Sequence, residues 1–478
     1  MTPVAARAVK IAEPAQLTLT DLAAAIRERR LSSVEVTRSL LERIERWQPA
    51  LNAFVSIEAE DALAAARASD EALARGQARG PLHGVPLAHK DMYYSAGKPA
   101  GCGSKVREGW IAPATATAVG RLEAAGSFRL GALHMAEFAY GPTGHNSHLG
   151  NACNPWDRQR VTGGSSSGSG AAVAARLVPA ALGSDTGGSI RLPAHFCGVT
   201  GFKPTNNRVS RANAMPLSFT LDTVGPLAQT AEDCALILAT IAGPDPLDPT
   251  TAAAPSWNEA RAAVSPKGLK IGVPTRFYVD DLEPDVAAAL DATIKTLGSL
   301  GARVIKVDLP DQTRVSAAAL VVLAVEATSY HAPWLRTRAA DYGPQVHARL
   351  ENGLAYSAVE YLEALRWRGP ALAAHLEALG DVDVVLAPAS RAAAPTIAET
   401  DVGGGPSAEA VIVALTRFMR PVNYLGLPVL SVPAGQSKQN LPIGMQLIGR
   451  PFGDELLAAL GVAFQAATDH HARMPTLP

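Results

Sequence analysis

Residues 160–204 read RVTGGSSSGSGAAVAARLVPAALGSDTGGSIRLPAHFCGVTGFKP, two Gly/Ser clusters around an Ala/Val-rich segment. Glycine lets the backbone turn sharply and approach a ligand, and the serines supply hydroxyls that a suitable base can turn into nucleophiles. GGSSSGSG alone has the composition of a flexible linker. It runs on, however, into helix-forming AAVAARLV and then into a second glycine turn after a short apolar run, so the paired clusters predict a site. Three chemistries compete for it. A phosphate cradle lacks support, because neither cluster supplies GxxxxGK[ST] and no suitable acid follows a GxGxxG. A nucleophile elbow is matched by Gly164 to Gly168, G-x-S-x-G centred on Ser166, with His331, His347, His375 and His470 downstream. That match leaves the second cluster unexplained, and QRVT before it is not a solid apolar strand. The third chemistry uses every part: a serine nucleophile whose base is a lysine, kept neutral by apolar surroundings and acting through a bridging hydroxyl. Lys90, one serine of the first cluster and one of the second would form that chain.

The elements that must carry these groups follow from periodicity. In GPLHGVPLAHKDMYY, Val85, Leu87 and His89 alternate with Pro86, Ala88 and Lys90, a short buried strand with Lys90 and Asp91 at its carboxyl end. The plainer alternative is a surface lysine paired with Asp91. Upstream, Thr18 with Asp21 and Ser32 with Glu35 have capping-box spacing before two helices, the second carrying Leu40, Leu41 and Ile44 on one face. A third, alanine-rich helix is predicted over 57–75, ending near Gly76. Residues 115–125 read as a helix and SFRLGAL as a strand. The loop that follows holds His145, His148 and Cys153, but no third and fourth ligand follow at metal spacing, so neither metal nor cofactor is expected. SFTLDTVGPLAQTAEDCALILATIAG reads as a turn and a helix, and the Pro-rich stretch 245–265 as a link. LKIGVP, 284–300 with Val286, Leu290, Ile294 and Leu297 inward, and ARVIKVDL read as strand, helix and strand. Helices fill most of 316–379, DVDVVLAP is a strand, and a helix runs toward Met419. A strand pair in PVNYLGLPVLSVPAG and LPIGMQLIG and a last helix over 454–468 close the chain.

This alternation predicts one large α/β domain spanning 1–478 with a mixed sheet. Within it we distinguish an N-terminal helical layer (1–75), a core carrying the candidate site (80–240), the link (245–265) and the remainder of the same sheet and helices (266–478). With 43 basic against 44 acidic residues and no dense basic run, nucleic acid and anionic lipid are not expected partners. Cys102, Cys153, Cys197 and Cys234 lie far apart without a C-x-x-C pair, which suits a reducing cytoplasm. MTPVAARAVKIAEP lacks a signal-peptide apolar region, and no apolar run reaches the length of a membrane span.

These residues resemble the amidase signature family: GPLHGVPLAHKD its lysine strand, GGSSSGSGAAVAA its Gly/Ser loop, GSDTGGSIRLPA its nucleophile turn. The resemblance covers nearly the whole chain. It implies a single α/β/α domain around a large twisted mixed sheet, with a Ser, cis-Ser, Lys triad on Ser189, Ser165 and Lys90. The 24-residue interval from Ser165 to Ser189 matches the family's and selects Ser165 over Ser166 and Ser167. Ser189 would attack the carbonyl while Thr186, Gly187, Gly188 and Ser189 turn N–H groups toward the oxyanion. Asp185, Arg191, Ser166, Gly163 and Gly164 would support the site. Two departures stand out: Ser167 replaces a usual glycine, and His89 takes a place often held by a small or apolar residue.

The resemblance implies a hydrolase of small acyl or aryl amides, with carbamates (a urethanase or aryl acylamidase) or esters as further substrates, working as a cytoplasmic monomer or homodimer. Pocket walls are expected from 138–146, with Phe138, Tyr140 and Gly141, and from 214–220, with Met215 and Phe219. The alternative within the family is the A component of a glutamine-dependent tRNA amidotransferase. Such components carry an Asp shortly before the proline corresponding to Pro421, whereas VIVALTRFMRP has no acid and carries Arg417 and Arg420, which speaks against that alternative.

Overall fold

The computed structural model describes residues 13–262, 264–405 and 407–477, so most of the segment read for a signal peptide lies outside the described residues. Thirteen strands are described: β1 (Phe54–Ile57), β2 (Pro86–Lys90), β3 (Phe128–Leu133), β4 (Cys153–Asn154), β5 (Asp157–Val161), β6 (Ala180–Ser184), β7 (Thr200–Lys203), β8 (Val224–Ala228), β9 (Lys270–Pro274), β10 (Arg303–Val307), β11 (Val384–Pro388), β12 (Val429–Gln436) and β13 (Pro442–Gly449). Eight of them form one mixed sheet in the order β10-β9-β11-β13-β12-β7-β8-β6. β9 pairs in parallel with β10 and β11, and the remaining neighbours are antiparallel. Strands from both sides of the 245–265 stretch therefore share one sheet. The strands β6, β7, β8, β11 and β13 are buried at every residue, as near-continuous apolar runs covered on both faces must be.

β2 is not in that sheet. It pairs in parallel with β3, whose other edge takes β1, and Lys90 lies opposite Leu133. All five β2 residues are buried. His89 Nδ1 accepts a hydrogen bond from the Leu182 N–H of β6 at 3.2 Å, so the residue that departs from the family pattern ties the small sheet to the large one beside Lys90. Burial drives the His89 pKa down to about 3, which keeps the ring a neutral acceptor.

The N-terminal helices form as their caps dictate. Ser32 and Glu35 make both bonds of a capping box on Ser33–Leu51, which buries Val36, Leu40 and Ile44. Other boundaries differ from the sequence reading. The 57–75 run is preceded by strand β1, and its helix spans Ala59–Ala74. The stretch read as a turn before the 231–241 helix contains β8, whose Pro226 interrupts the apolar pattern. The run toward Met419 is the helix Ser407–Thr416, and a further helix, Arg420–Leu425, takes the start of the stretch read as a strand, which begins only at Val429. One helical stretch, Gln312–Asp341, is long and apolar enough by length and composition to cross a membrane. The sequence reading passes over it because Glu326 and His331 interrupt the run; both side chains are buried inside the protein.

Candidate functional site

At the carboxyl end of β2, Lys90 Nζ lies 2.6 Å from Ser165 Oγ and 2.8 Å from Ser184 Oγ, with all three side chains buried. The first cluster forms a tight turn into the fully buried helix Ser167–Ala174. The Gly164–Ser165 peptide is cis. Gly163 has φ of 75°, and a Cβ there would stand 2.9 Å from the Leu192 and Pro193 backbone; one on Gly164 would stand 2.5 Å from Gly141 O. Glycine is required at both by this close approach. Ser166 Oγ is 3.3 Å from both the N–H and the carbonyl of Ser184, and none of His331, His347, His375 and His470 hydrogen-bonds it. The elbow reading therefore lacks its base. His145 bonds Thr400 and His148 bonds Glu137, and among the described residues no three metal-ligating side chains gather.

The second cluster turns around one carboxylate. Asp185 accepts hydrogen bonds from Arg191 Nε (3.0 Å) and Nη2 (2.9 Å), from Asn423 Nδ2 (2.8 Å) and from the N–H groups of Gly188 (2.8 Å) and Ile190 (3.1 Å). Burial alone would raise its pKa, but Arg191 and these donors override that and hold the carboxyl far below the usual range. Gly188 therefore differs from the sequence reading: its N–H is engaged by Asp185 and is not free for an oxyanion. The N–H groups of Thr186, Gly187 and Ser189 have no acceptor among the described residues. Gly188 itself has φ of +119°, and a Cβ there would stand 2.6 Å from Met419 Cγ. Because Arg191 and Asp185 are both fully buried, Arg191→Met leaves an unpaired carboxylate inside the protein. We expect it to lower unfolding stability by about 3–5 kcal/mol in a denaturant titration.

Ser189 is 9% exposed and lines a cavity with Tyr140, Gly141, Gly164, Thr186, Gly187, Leu217, Leu323, Arg349, Ile412, Thr416 and Arg420. Among the described residues no hydrogen bond joins Ser189 Oγ to Ser165 or Lys90; Ser189 meets Gly164 across this cavity. Of the five pocket residues read from the sequence, Tyr140 and Gly141 are here. Phe138 is not: its ring packs against His331, Trp334 and Tyr342 in the core. Met215 and Phe219 line a separate cavity that reaches Ser184, because the 214–220 loop is folded back by Asp222, which accepts from the Leu217 and Ser218 N–H groups and from Thr186 Oγ1.

Three charged residues near Ser189 have no site role in the sequence reading. Arg349 stacks over the Tyr140 ring at 3.7 Å and donates Nη1 to Tyr140 O at 2.8 Å. Arg420 is buried, its Nη2 has no hydrogen-bond partner among the described residues, and burial together with Arg349 brings its pKa down to about 10. The Arg420 side chain runs beside the oxyanion turn, with Cγ 3.9 Å from where a Gly187 Cβ would stand. Glu409 acts on Arg420 from the adjoining cavity, which it lines with Tyr140 and Arg349, and its Oε1 is buried without a hydrogen-bond partner among the described residues. Neither arginine lies within ion-pair distance of a carboxylate among the described residues. Glu409 stands two residues before the VIVALTRFMRP segment, which itself carries no acid.

The amidase family model matches residues 35–458. The chain belongs to the amidase family. It is 39% identical to the A component of the glutamyl-tRNA(Gln) amidotransferase of Geobacter metallireducens, covering 96% of this chain and 98% of that one. Among solved structures it resembles a vestigial protein complex tied to the evolutionary origins of an s-triazine catabolic enzyme (36% identity, TM-score 0.88, 97% and 100% of the two chains). It also resembles the peptide amidase of Stenotrophomonas maltophilia (30% identity, TM-score 0.82, 96% and 98%). The expected mixed sheet covered by helices is the fold of these enzymes, and the chain is an amidase-family enzyme of C–N bonds. The curated relatives favour the amidotransferase alternative over the small-molecule amidase. The expectation of a lone monomer or homodimer with no link to nucleic acid is overturned, since those relatives are components of an enzyme named for tRNA and the solved neighbour is a protein complex.

Proposed function

We propose that this chain is the amide-cleaving component of an amidotransferase-type assembly and that its substrate is an amide whose acyl half ends in a carboxylate, glutamine being the amide that the glutamine-dependent alternative read from the sequence would use. The observation that carries the reading is Arg420: a buried guanidinium edge without a partner, beside Arg349, in the cavity that holds Ser189. A buried donor of this kind calls for an anionic acceptor. Glu409 beside the two arginines supports an ammonium group on the same substrate, as an amino acid carries. A cytoplasmic setting fits the four unpaired cysteines.

Lys90 acts as the base in this reading. Burial lowers its pKa to about 7, against the pull of Asp222 and Asp185, so a neutral amine is available near neutral pH. It takes the Ser165 proton as Ser165 takes that of Ser189, and Ser189 Oγ bonds to the amide carbon. The N–H groups of Thr186, Gly187 and Ser189 receive the oxyanion. The C–N bond breaks as Ser165 returns a proton to the leaving nitrogen. Water then cleaves the acyl-enzyme through the same relay.

Neutral acyl and aryl amides and carbamates form the weaker reading, supported by Leu217, Leu323 and Ile412 on the cavity wall. Arg420→Met distinguishes the two. We expect KM for glutamine to rise by about tenfold or more, the loss of one charge-assisted contact, while turnover of butyramide stays unchanged. A wild-type preference for butyramide or an anilide over glutamine, in the chain alone and with its partner proteins, would defeat the carboxylate reading.

A further inference from the structure

Lys90 Nζ touches two hydroxyls, and the proposed relay uses only one. A neutral amine carries two N–H bonds and one lone pair. For Lys90 to take a proton from Ser165, the lone pair must point at Ser165 Oγ, 2.6 Å away, so an N–H must find its acceptor elsewhere. Ser184 Oγ, 2.8 Å from Nζ, is the second hydroxyl within reach among the described residues. Ser184 is the last residue of β6, opposite Val224 of β8; its backbone N–H and C=O both meet Ser166 Oγ and the next residue, Asp185, exchanges backbone hydrogen bonds with Thr223, so the hydroxyl is carried on a fixed strand end.

We infer that Ser184 is a positioning residue: by accepting an N–H from Lys90 it fixes the rotation of the amine and aims the lone pair at Ser165. Its surroundings suit the task. Ser184 lines a cavity of about 250 Å³ with Met92, Met215, Asp222 and Thr223, distinct from the cavity that Ser189 lines. Substrate at Ser189 therefore leaves the Ser184 side untouched, and the Ser184 O–H has room for a water to accept it. Without Ser184 the amine turns freely, and only a fraction of its orientations face Ser165.

The inference rests on Lys90 being the base, and the test separates the two claims. Ser184→Ala is expected to lower kcat by about ten- to a hundredfold, the range in which a loss of orientation registers, with KM within about twofold of wild type. The acid limb of the pH–rate profile should move to lower pH, because an acceptor stabilises the charged ammonium more than the neutral amine and its loss disfavours the charge. Ser184→Thr, which keeps the hydroxyl, should recover most of the rate and return the limb. A kcat unchanged in Ser184→Ala, a limb that stays in place or moves up, or a Thr variant as slow as Ala while both melt like wild type would each overturn the inference. Lys90→Met measured alongside keeps the readings apart: its inactivity beside an unaffected Ser184→Ala removes Ser184 and leaves the relay, whereas an active Lys90→Met removes the relay itself.

Discussion

Ser189→Ala abolishes turnover, with a loss on the order of 10⁴- to 10⁶-fold in kcat. The expectation follows from what remains in the cavity. Arg349, Arg420 and Tyr140 still line the cavity and, in the proposed reading, would still hold the substrate with its carbonyl at the turn amides, but no Ser189 oxygen is left to bond to the amide carbon. KM should change little, and no acyl-enzyme should be seen by mass spectrometry after rapid acid quench. Ser166→Ala is the contrasting variant. Ser166 Oγ is occupied with the Ser184 backbone, and no histidine hydrogen-bonds it, so its removal should still allow acyl-enzyme formation, with a loss in kcat no larger than the about ten- to a hundredfold expected for Ser184→Ala. If Ser166→Ala were inactive and Ser189→Ala retained acyl-enzyme formation, the nucleophile would have to be reassigned to the first cluster.

Residues whose surroundings are local in sequence were legible. The glycines at 163, 164 and 188 declare sharp turns, and alternation about Lys90 declares a buried strand. The capping pair Ser32 and Glu35 marks a helix start by itself. What the sequence does not show is which distant side chain arrives opposite. Arg349 and Arg420 are 71 residues apart and meet only because their helices close over one cavity. Glu409 reads as one more polar residue at a helix start until the fold brings it near them. Phe138 misled for the opposite reason: an aromatic in a Gly-rich loop suggests a pocket wall, but at φ of 48° its ring turns into the His331 and Trp334 cluster. Asp222 escaped notice within a stretch read as a turn, although it binds Thr186 and the loop that forms the back cavity. His89, a departure without a role in the sequence, turns out to join two sheets.

Lys90→Met should be inactive and more stable at once. Activity falls because no other base contacts Ser165 among the described residues, and we expect a loss on the order of 10³- to 10⁴-fold. The wild-type rate should carry the same information in its pH dependence. With a pKa of about 7, the neutral fraction of Lys90 falls tenfold for each pH unit below that value, so at pH 5 turnover should be about a hundredth of its plateau. Stability runs the other way. In the unfolded chain a lysine stays protonated to about pH 10.4, whereas the folded protein releases that proton near 7. Between those values the unfolded state binds more protons, so wild-type stability rises with pH across the interval, and the penalty for burying Lys90 is largest below about pH 7. Methionine removes that penalty but leaves Ser165 and Ser184 without the amine, so the net gain at pH 7 is on the order of 2 kcal/mol. It should shrink toward pH 10. A denaturant series at pH 6, 7.5 and 9 on both proteins reads the difference directly; a Met-minus-wild-type difference that is the same at pH 6 and pH 9 would mean that Lys90 keeps its charge in the folded protein across this range and cannot be the base.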